Sequence, residues 1–231
     1  MKNESQNPLW VHPVLLFVGL IYGGNYVVAK LATPEYIPPL AFIILRVFFA
    51  SIIFMIISFF GVKERIQKVD IPRLILCAFL GASINQILFF QGLSMTSAIS
   101  SAVIMTTNPI IVLVFSALLL GERITWKKAI GVGLGLSGAL WLVARNGFDF
   151  SDNSFVGDSL VLLNATAYGI YLVLVKPLMQ KYRPMTVMKW AFLLANIVVI
   201  PVGWNQLTTI EWSLLPQVAW YSMLYVVLGT T

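Results

Sequence analysis

The chain has 231 residues and a formal charge of +6; 59% of its residues are hydrophobic and 10% are charged. A soluble domain carries roughly 25% charged residues. A chain of this length cannot hide so much apolar surface from water, so the composition excludes a soluble globular protein and requires lipid as the main solvent. One cysteine, Cys77, and one histidine, His12, exclude an internal disulfide framework and leave little for a zinc site, so no metal and no cofactor is expected.

A membrane-crossing helix needs about 20 mostly apolar residues. The first such run, Pro13–Ala32, carries "YGGNYVVAK" at 22–30. It lacks a clear small-residue cleavage site and more runs follow, so it is expected to be a retained span. Asn25 falls near its midplane, and Lys30 near its end. The second run, Pro38–Phe60, places Arg46 roughly 12 Å below the surface by helical rise. An arginine there costs at least ~2.5–3.5 kcal/mol. No acid occurs at a similar depth, and Glu35 lies in the preceding loop. Arg46 therefore meets backbone carbonyls or Glu35, a water-filled cavity, or an anionic substrate group. A guanidinium suits a carboxylate because it is a planar two-pronged donor.

The third run, Pro72–Leu93, contains Asn85 and Gln86. Neighbours on a helix point about 100° apart, so one is expected to face a cavity and the other to bond a neighbouring helix. The fourth, Ala98–Leu120, is interrupted by "TTNP" at 106–109. Pro109 has no amide hydrogen and frees the carbonyl of Met105, which predicts a kink beside Asn108. The fifth, Ile124–Ala144, follows a Glu122–Arg123 turn and holds Gly131, Gly135 and Gly138, the first two in a close-packing spacing. The sixth, Gly157–Met179, presents Asn164, Thr166, Tyr168 and Tyr171 as a polar and aromatic stripe. The seventh is Met185–Trp204, and an eighth begins at Pro216. None shows the alternation of a barrel strand, so an all-α membrane protein is expected. Trp10, Trp126, Trp141, Trp204 and Trp212 near the run ends read as interface anchors.

Basic residues gather on one side: Lys2, then Lys63, Arg65, Lys68 and Arg73, then Arg123, Lys127 and Lys128, then Lys181, Arg183 and Lys189. The other side has Arg145 with Glu35, Asp149, Asp152 and Glu211. This asymmetry predicts a multi-pass protein of the cytoplasmic membrane with its N-terminus in the cytoplasm. The positive charge is a topology signal and does not imply nucleic acid.

A partial copy of the first phrase, "YGIYLVLVK", stands at 168–176. Tyr22 and Tyr168, Gly23 and Gly169, Lys30 and Lys176, and Pro38 and Pro184 share one offset. Five spans separate the copies, and an odd number inverts them across the membrane. Lys30 and Lys176 then either mark the opposite mouths of a pathway or snorkel to the interface as anchors.

"YGGNYVVAK", "PPLAFIILRVFFA", "NPIIVLVFSALLLGERIT" and "KKAIGVGLGLSGALWLV", in that order, resemble the EamA-like family of the drug/metabolite transporter superfamily. The resemblance implies ten spans in two inverted five-helix repeats. Residues 1–147 would form the first repeat and 148–231 an incomplete second, giving about seven and a half spans. The eighth run stops after "VLGTT"; by analogy with "FLGASINQ", Gly229 answers Gly81, and the counterparts of Asn85 and Gln86 do not follow.

No H-E-x-x-H, buried aspartate pair or phosphate-binding glycine loop occurs in the chain, so neither an enzyme nor an ATP-driven pump is expected. The resemblance implies a secondary transporter exporting small metabolites such as amino acids by alternating access. Arg46 would attract a carboxylate, while Asn25, Asn85, Gln86 and Asn108 orient the polar end. Tyr168 and Tyr171 would flank the side chain. The expected partners are a small-molecule substrate and the lipid bilayer, with a monomer as the working unit of a full-length chain and an assembly with another chain as the alternative. The alternatives are a non-transporting scaffold or transporter remnant, or another substrate class such as drugs or nucleotide sugars. Lipophilic cations are disfavoured, because all nine acids lie at run ends or in loops.

Overall fold

The computed structural model describes residues 11–61, 64–121, 125–144 and 153–230. The Glu122–Arg123 turn, the loop acids Asp149 and Asp152, and Lys2, Lys63 and Arg145 lie outside the described residues, as does the expected boundary between repeats at 147 and 148. All eight apolar runs fold as helices, and the described residues contain no strand.

Helix α1 is Val11–Ala32, α2 is Pro39–Gly61 and α3 is Lys68–Met95. Helix α4 is Ala98–Leu120, α5 is Trp126–Ala144, α6 is Asn153–Lys181, α7 is Pro184–Thr208 and α8 is Gln217–Gly229. Among the described residues, six (α1, α2, α3, α4, α6 and α7) are long and apolar enough to cross a membrane. Helix α5 has 19 residues, with Lys127 and Lys128 in its first turn. Helix α8 has 13 residues.

Local chemistry sets several boundaries. Pro72 lies in the first turn of Ile71–Cys77, and Pro184 in that of α7, where a missing amide hydrogen costs nothing. Ser97 caps α4, its Oγ accepting from the Ser100 amide at 3.0 Å. Gly121 ends α4 in the left-handed region, φ 67°. The expected break at "TTNP" is present: α4 divides into Ala98–Met105 and Asn108–Leu120 around Thr106 and Thr107. The middle of α3 is a seven-residue π-helix, Ala78–Ile84.

The helices pack as two groups. In the first, α2 lies along α7 and α1 along α8. Lys189 Nζ reaches Ser58 Oγ at 2.9 Å, and the Leu40 amide reaches Gln206 Oε1 at 2.9 Å, tying the α2–α7 pair near both ends. Tyr225 donates to the Ile21 carbonyl at 2.7 Å, joining α8 to α1. In the second, α6 packs against α3 and α4. There Gly92 and Gly157 bring the α3 and α6 backbones together. Helix α5 sits at this group's edge. Of its paired glycines, Gly135 meets Ile110 while Gly131 faces open space, so the expected two-glycine contact forms at only one position.

The α3–α6 pair is also tied where α3 begins. Asp70 accepts from Lys181 Nζ and from the Tyr182 hydroxyl, the latter at 2.6 Å, and Tyr182 accepts from the Gln67 amide at 3.0 Å. Tyr182 is buried, whereas the Lys181 side chain is 40% exposed. Tyr182→Phe is therefore expected to cost about 1–2 kcal/mol, and Lys181→Ala under about 1 kcal/mol. Thermal melts in detergent check the order; a larger loss for Lys181→Ala would contradict it.

Candidate functional site

A cavity of about 330 Å³ lies between the two groups. All seven expected binding residues line it: Asn25, Arg46, Asn85, Gln86, Asn108, Tyr168 and Tyr171. They come from α1, α2, α3, α4 and α6, so the site exists only in the packed bundle.

Arg46 projects from α2 and is 6% exposed. Its Nη1 donates to Gln86 Oε1 at 2.7 Å and its Nη2 to the Thr230 carbonyl at 2.8 Å. The guanidinium lies 5.8 Å from the centre of the Phe90 ring. Gln86 Oε1 and the Thr230 carbonyl are neutral acceptors. A carboxylate entering the cavity would offer this cation a stronger, charge-assisted acceptor. Glu35, an expected partner, lines a separate hollow with Glu211.

Both Asn85 and Gln86 line the cavity, against the expectation that only one would. Gln86 is long enough to reach Arg46, and its Nε2 lies 3.3 Å from Asn85 Oδ1. The π-helix just before them widens the turn. As a result Cys77, Gly81, Asn85 and Phe89, each four apart, all face the same cavity. Asn164 Nδ2 donates to the Asn85 carbonyl at 2.7 Å and holds this wall to α6. Asn25 Oδ1 lies 3.4 Å from the Thr230 hydroxyl. The Oδ1 atoms of Asn108 and Asn164 are buried with no hydrogen-bond partner among the described residues.

The apolar side is aromatic. Tyr168 and Tyr171 stack with centroids 5.7 Å apart and planes at 29°. Tyr26 meets Phe89 edge-on at 5.5 Å. The Tyr171 ring covers Gly81 so closely that a β-carbon there would lie 2.4 Å from it. Polar groups on one wall and rings on another suit an amphipathic solute.

Lys30 and Lys176 do not line the cavity. Lys30 Nζ donates to the carbonyls of Leu93, Ser94 and Thr96 at 2.6, 3.1 and 2.6 Å. Lys176 is exposed on α6. Sequence reasoning missed Tyr22, Tyr26 and Phe89 as lining residues. Helical spacing carries the signal for all three. Tyr22 and Tyr26 stand four apart and flank Asn25, and Phe89 is four from Asn85.

Residues 9–144 match the model of the EamA-like transporter family. An uncharacterized transporter of Archaeoglobus fulgidus is 27% identical over 81% of this chain and 66% of its own length. A protein of Streptantibioticus cattleyicolor, described as a "probable terminal-alkyne amino-acid exporter", is 27% identical over 58% of this chain and 44% of its own. Uncharacterized transporter YoaV of Bacillus subtilis is 30% identical over 68% of this chain and 53% of its own. The chain thus spans less than two thirds of each of these relatives. A solved crystal structure shares the fold at a TM-score of 0.62 and 17% identity, over 93% of this chain and 72% of that one. The family match covers more than half of the chain, and its helices are those of a multi-pass membrane protein. The chain belongs to the EamA-like transporter family.

Proposed function

We propose that this protein is a secondary active exporter of small amphipathic carboxylates such as amino acids, working by alternating access. The observation that carries this is the buried Arg46 on the wall of a cavity whose other side is aromatic. A carboxylate would pair with Arg46. Asn25, Asn85, Gln86 and Asn108 would orient the polar end, and Tyr168 and Tyr171 would flank the side chain. The S. cattleyicolor relative described as a "probable terminal-alkyne amino-acid exporter" supports this class.

In this reading residues 1–147 and 148–231 belong to two inverted repeats. The chain sits in the cytoplasmic membrane with its N-terminus inside, as the basic loops indicate. Lys30 and Lys176 belong to the two opposite mouths. The substrate is a small molecule, and the full-length protein works as a monomer without a cofactor.

A thermal-shift comparison of matched ligands tests the class. L-phenylalanine and 3-phenylpropionate share a carboxylate and a ring, whereas phenethylamine has the ring alone. The two carboxylates are expected to raise the melting temperature of the purified protein. At 100 times Kd the stabilisation is about 2.7 kcal/mol. Stabilisation by phenethylamine alone would contradict the proposal.

A further inference from the structure

Helices α3 and α6 are fastened to each other along their whole length. At one end Asp70 holds Lys181 and Tyr182. In the middle, Asn164 donates to the Asn85 carbonyl at 2.7 Å. At the other end Thr96 Oγ1 donates to Asp158 Oδ1 at 2.6 Å, beside the backbone contact of Gly92 with Gly157. A β-carbon on Gly92 would lie 2.8 Å from the Gly157 carbonyl oxygen, so the helices have no slack there. Sliding or splaying this pair would break contacts at three levels. It is a frame.

The other group, α1, α2, α7 and α8, touches this frame around the cavity. Two described side chains reach across with hydrogen bonds: Arg46 within the cavity, and Lys30 beyond it. Lys30 lies in the last turn of α1. A lysine there with no other task would extend its ammonium to the interface. This one turns to the end of α3, where the last carbonyls have no intrahelical donors and carry the negative end of the helix dipole. An ammonium has three hydrogens, and three carbonyls receive it. Phe89 lines the cavity, its ring packs on Phe90, and Phe90 packs on Phe42.

We propose that Lys30 is a latch: it pins the end of α1 to the carbonyl terminus of α3 and so holds the cavity closed at that end. Opening there means withdrawing the ammonium from all three carbonyls while the α3–α6 frame stays intact. The use of the latch in a transport cycle rests on the function proposed above; the latch itself does not.

The test uses cysteine accessibility and needs no substrate. Cys77, the chain's single cysteine, is replaced by Ser. Ala82, a buried residue lining the cavity, is replaced by Cys as the reporter. A membrane-impermeant maleimide is added to right-side-out or inverted vesicles. Lys30→Ala is expected to speed alkylation about tenfold or more from the Lys30 side, the size of a population shift between two bundle states, and to leave the opposite side unchanged. Lys30→Arg should stay near the parental rate. Tyr182→Phe loosens the frame at its far end, away from the Lys30 ammonium, and should also stay near it.

A folded Lys30→Ala protein with the parental rate would overturn the latch. So would a Tyr182→Phe protein that opens as much as Lys30→Ala. If Lys30→Ala does not accumulate, Lys30→Gln replaces it; an intermediate rate supports the latch and a parental rate overturns it. An open Lys30→Ala protein in a chain that moves no solute would sink the transport reading and leave the latch standing.

Discussion

Replacing Arg46 with Ala is expected to lower carboxylate flux by about one to two orders of magnitude, at membrane abundance matched to the parent. The magnitude follows from the bond type. A hydrogen bond to a charged group contributes about 1.5–3 kcal/mol, and a two-pronged pair with a carboxylate makes two. Part of that gain is offset because Gln86 Oε1 and the Thr230 carbonyl must give up Arg46. Arg46→Lys keeps the charge and loses the fork, so it should recover only a fraction of the flux. The loss should be specific: a ring-bearing solute without a carboxylate should show no comparable change. Arg46→Ala also leaves two acceptors without this donor, so some loss of stability is expected, and flux must be normalised to inserted protein. Equal flux of parent and Arg46→Ala at equal abundance would remove Arg46 from the pathway.

Gly92→Val is expected to be the most damaging single substitution for folding. The first atom of any side chain at Gly92 would lie 2.8 Å from the Gly157 carbonyl oxygen and 3.0 Å from the Val161 amide nitrogen. These obstacles are backbone, so no rotamer change relieves them, and the α3–α6 frame must separate. A loss of about 3 kcal/mol or more is expected, within the range of severe overpacking. The readout is the yield of monodisperse protein from membranes, with melting temperature where enough is recovered. Gly131→Ala is the control: a β-carbon at Gly131 meets nothing within 4 Å, so its yield should match the parent. Equal yields of Gly92→Val and parent would contradict the close α3–α6 contact.

Much of this structure is legible in the residues, because lipid imposes simple rules. Eight apolar runs become eight helices, and "TTNP" breaks α4 where Pro109 requires it. The seven candidate binding residues converge because polar side chains at mid-depth have few places to go except a shared interior. Two features were not legible. The π-helix at Ala78–Ile84 depends on packing against Tyr171 and α7, and it sets the stripe that lets Asn85 and Gln86 share one cavity. Lys30 reads equally as anchor or gate until the end of α3 is placed beside it.

The most direct test of the central claim is counterflow in proteoliposomes. Vesicles holding the purified chain are loaded with unlabelled L-phenylalanine and diluted into a trace of labelled L-phenylalanine. A carrier exchanges one for the other, so the label should rise transiently above equilibrium, and the overshoot should shrink at least about tenfold with Arg46→Ala. A flat trace from folded, correctly inserted protein, for this and other small carboxylates, would contradict carboxylate transport and favour a non-transporting membrane scaffold.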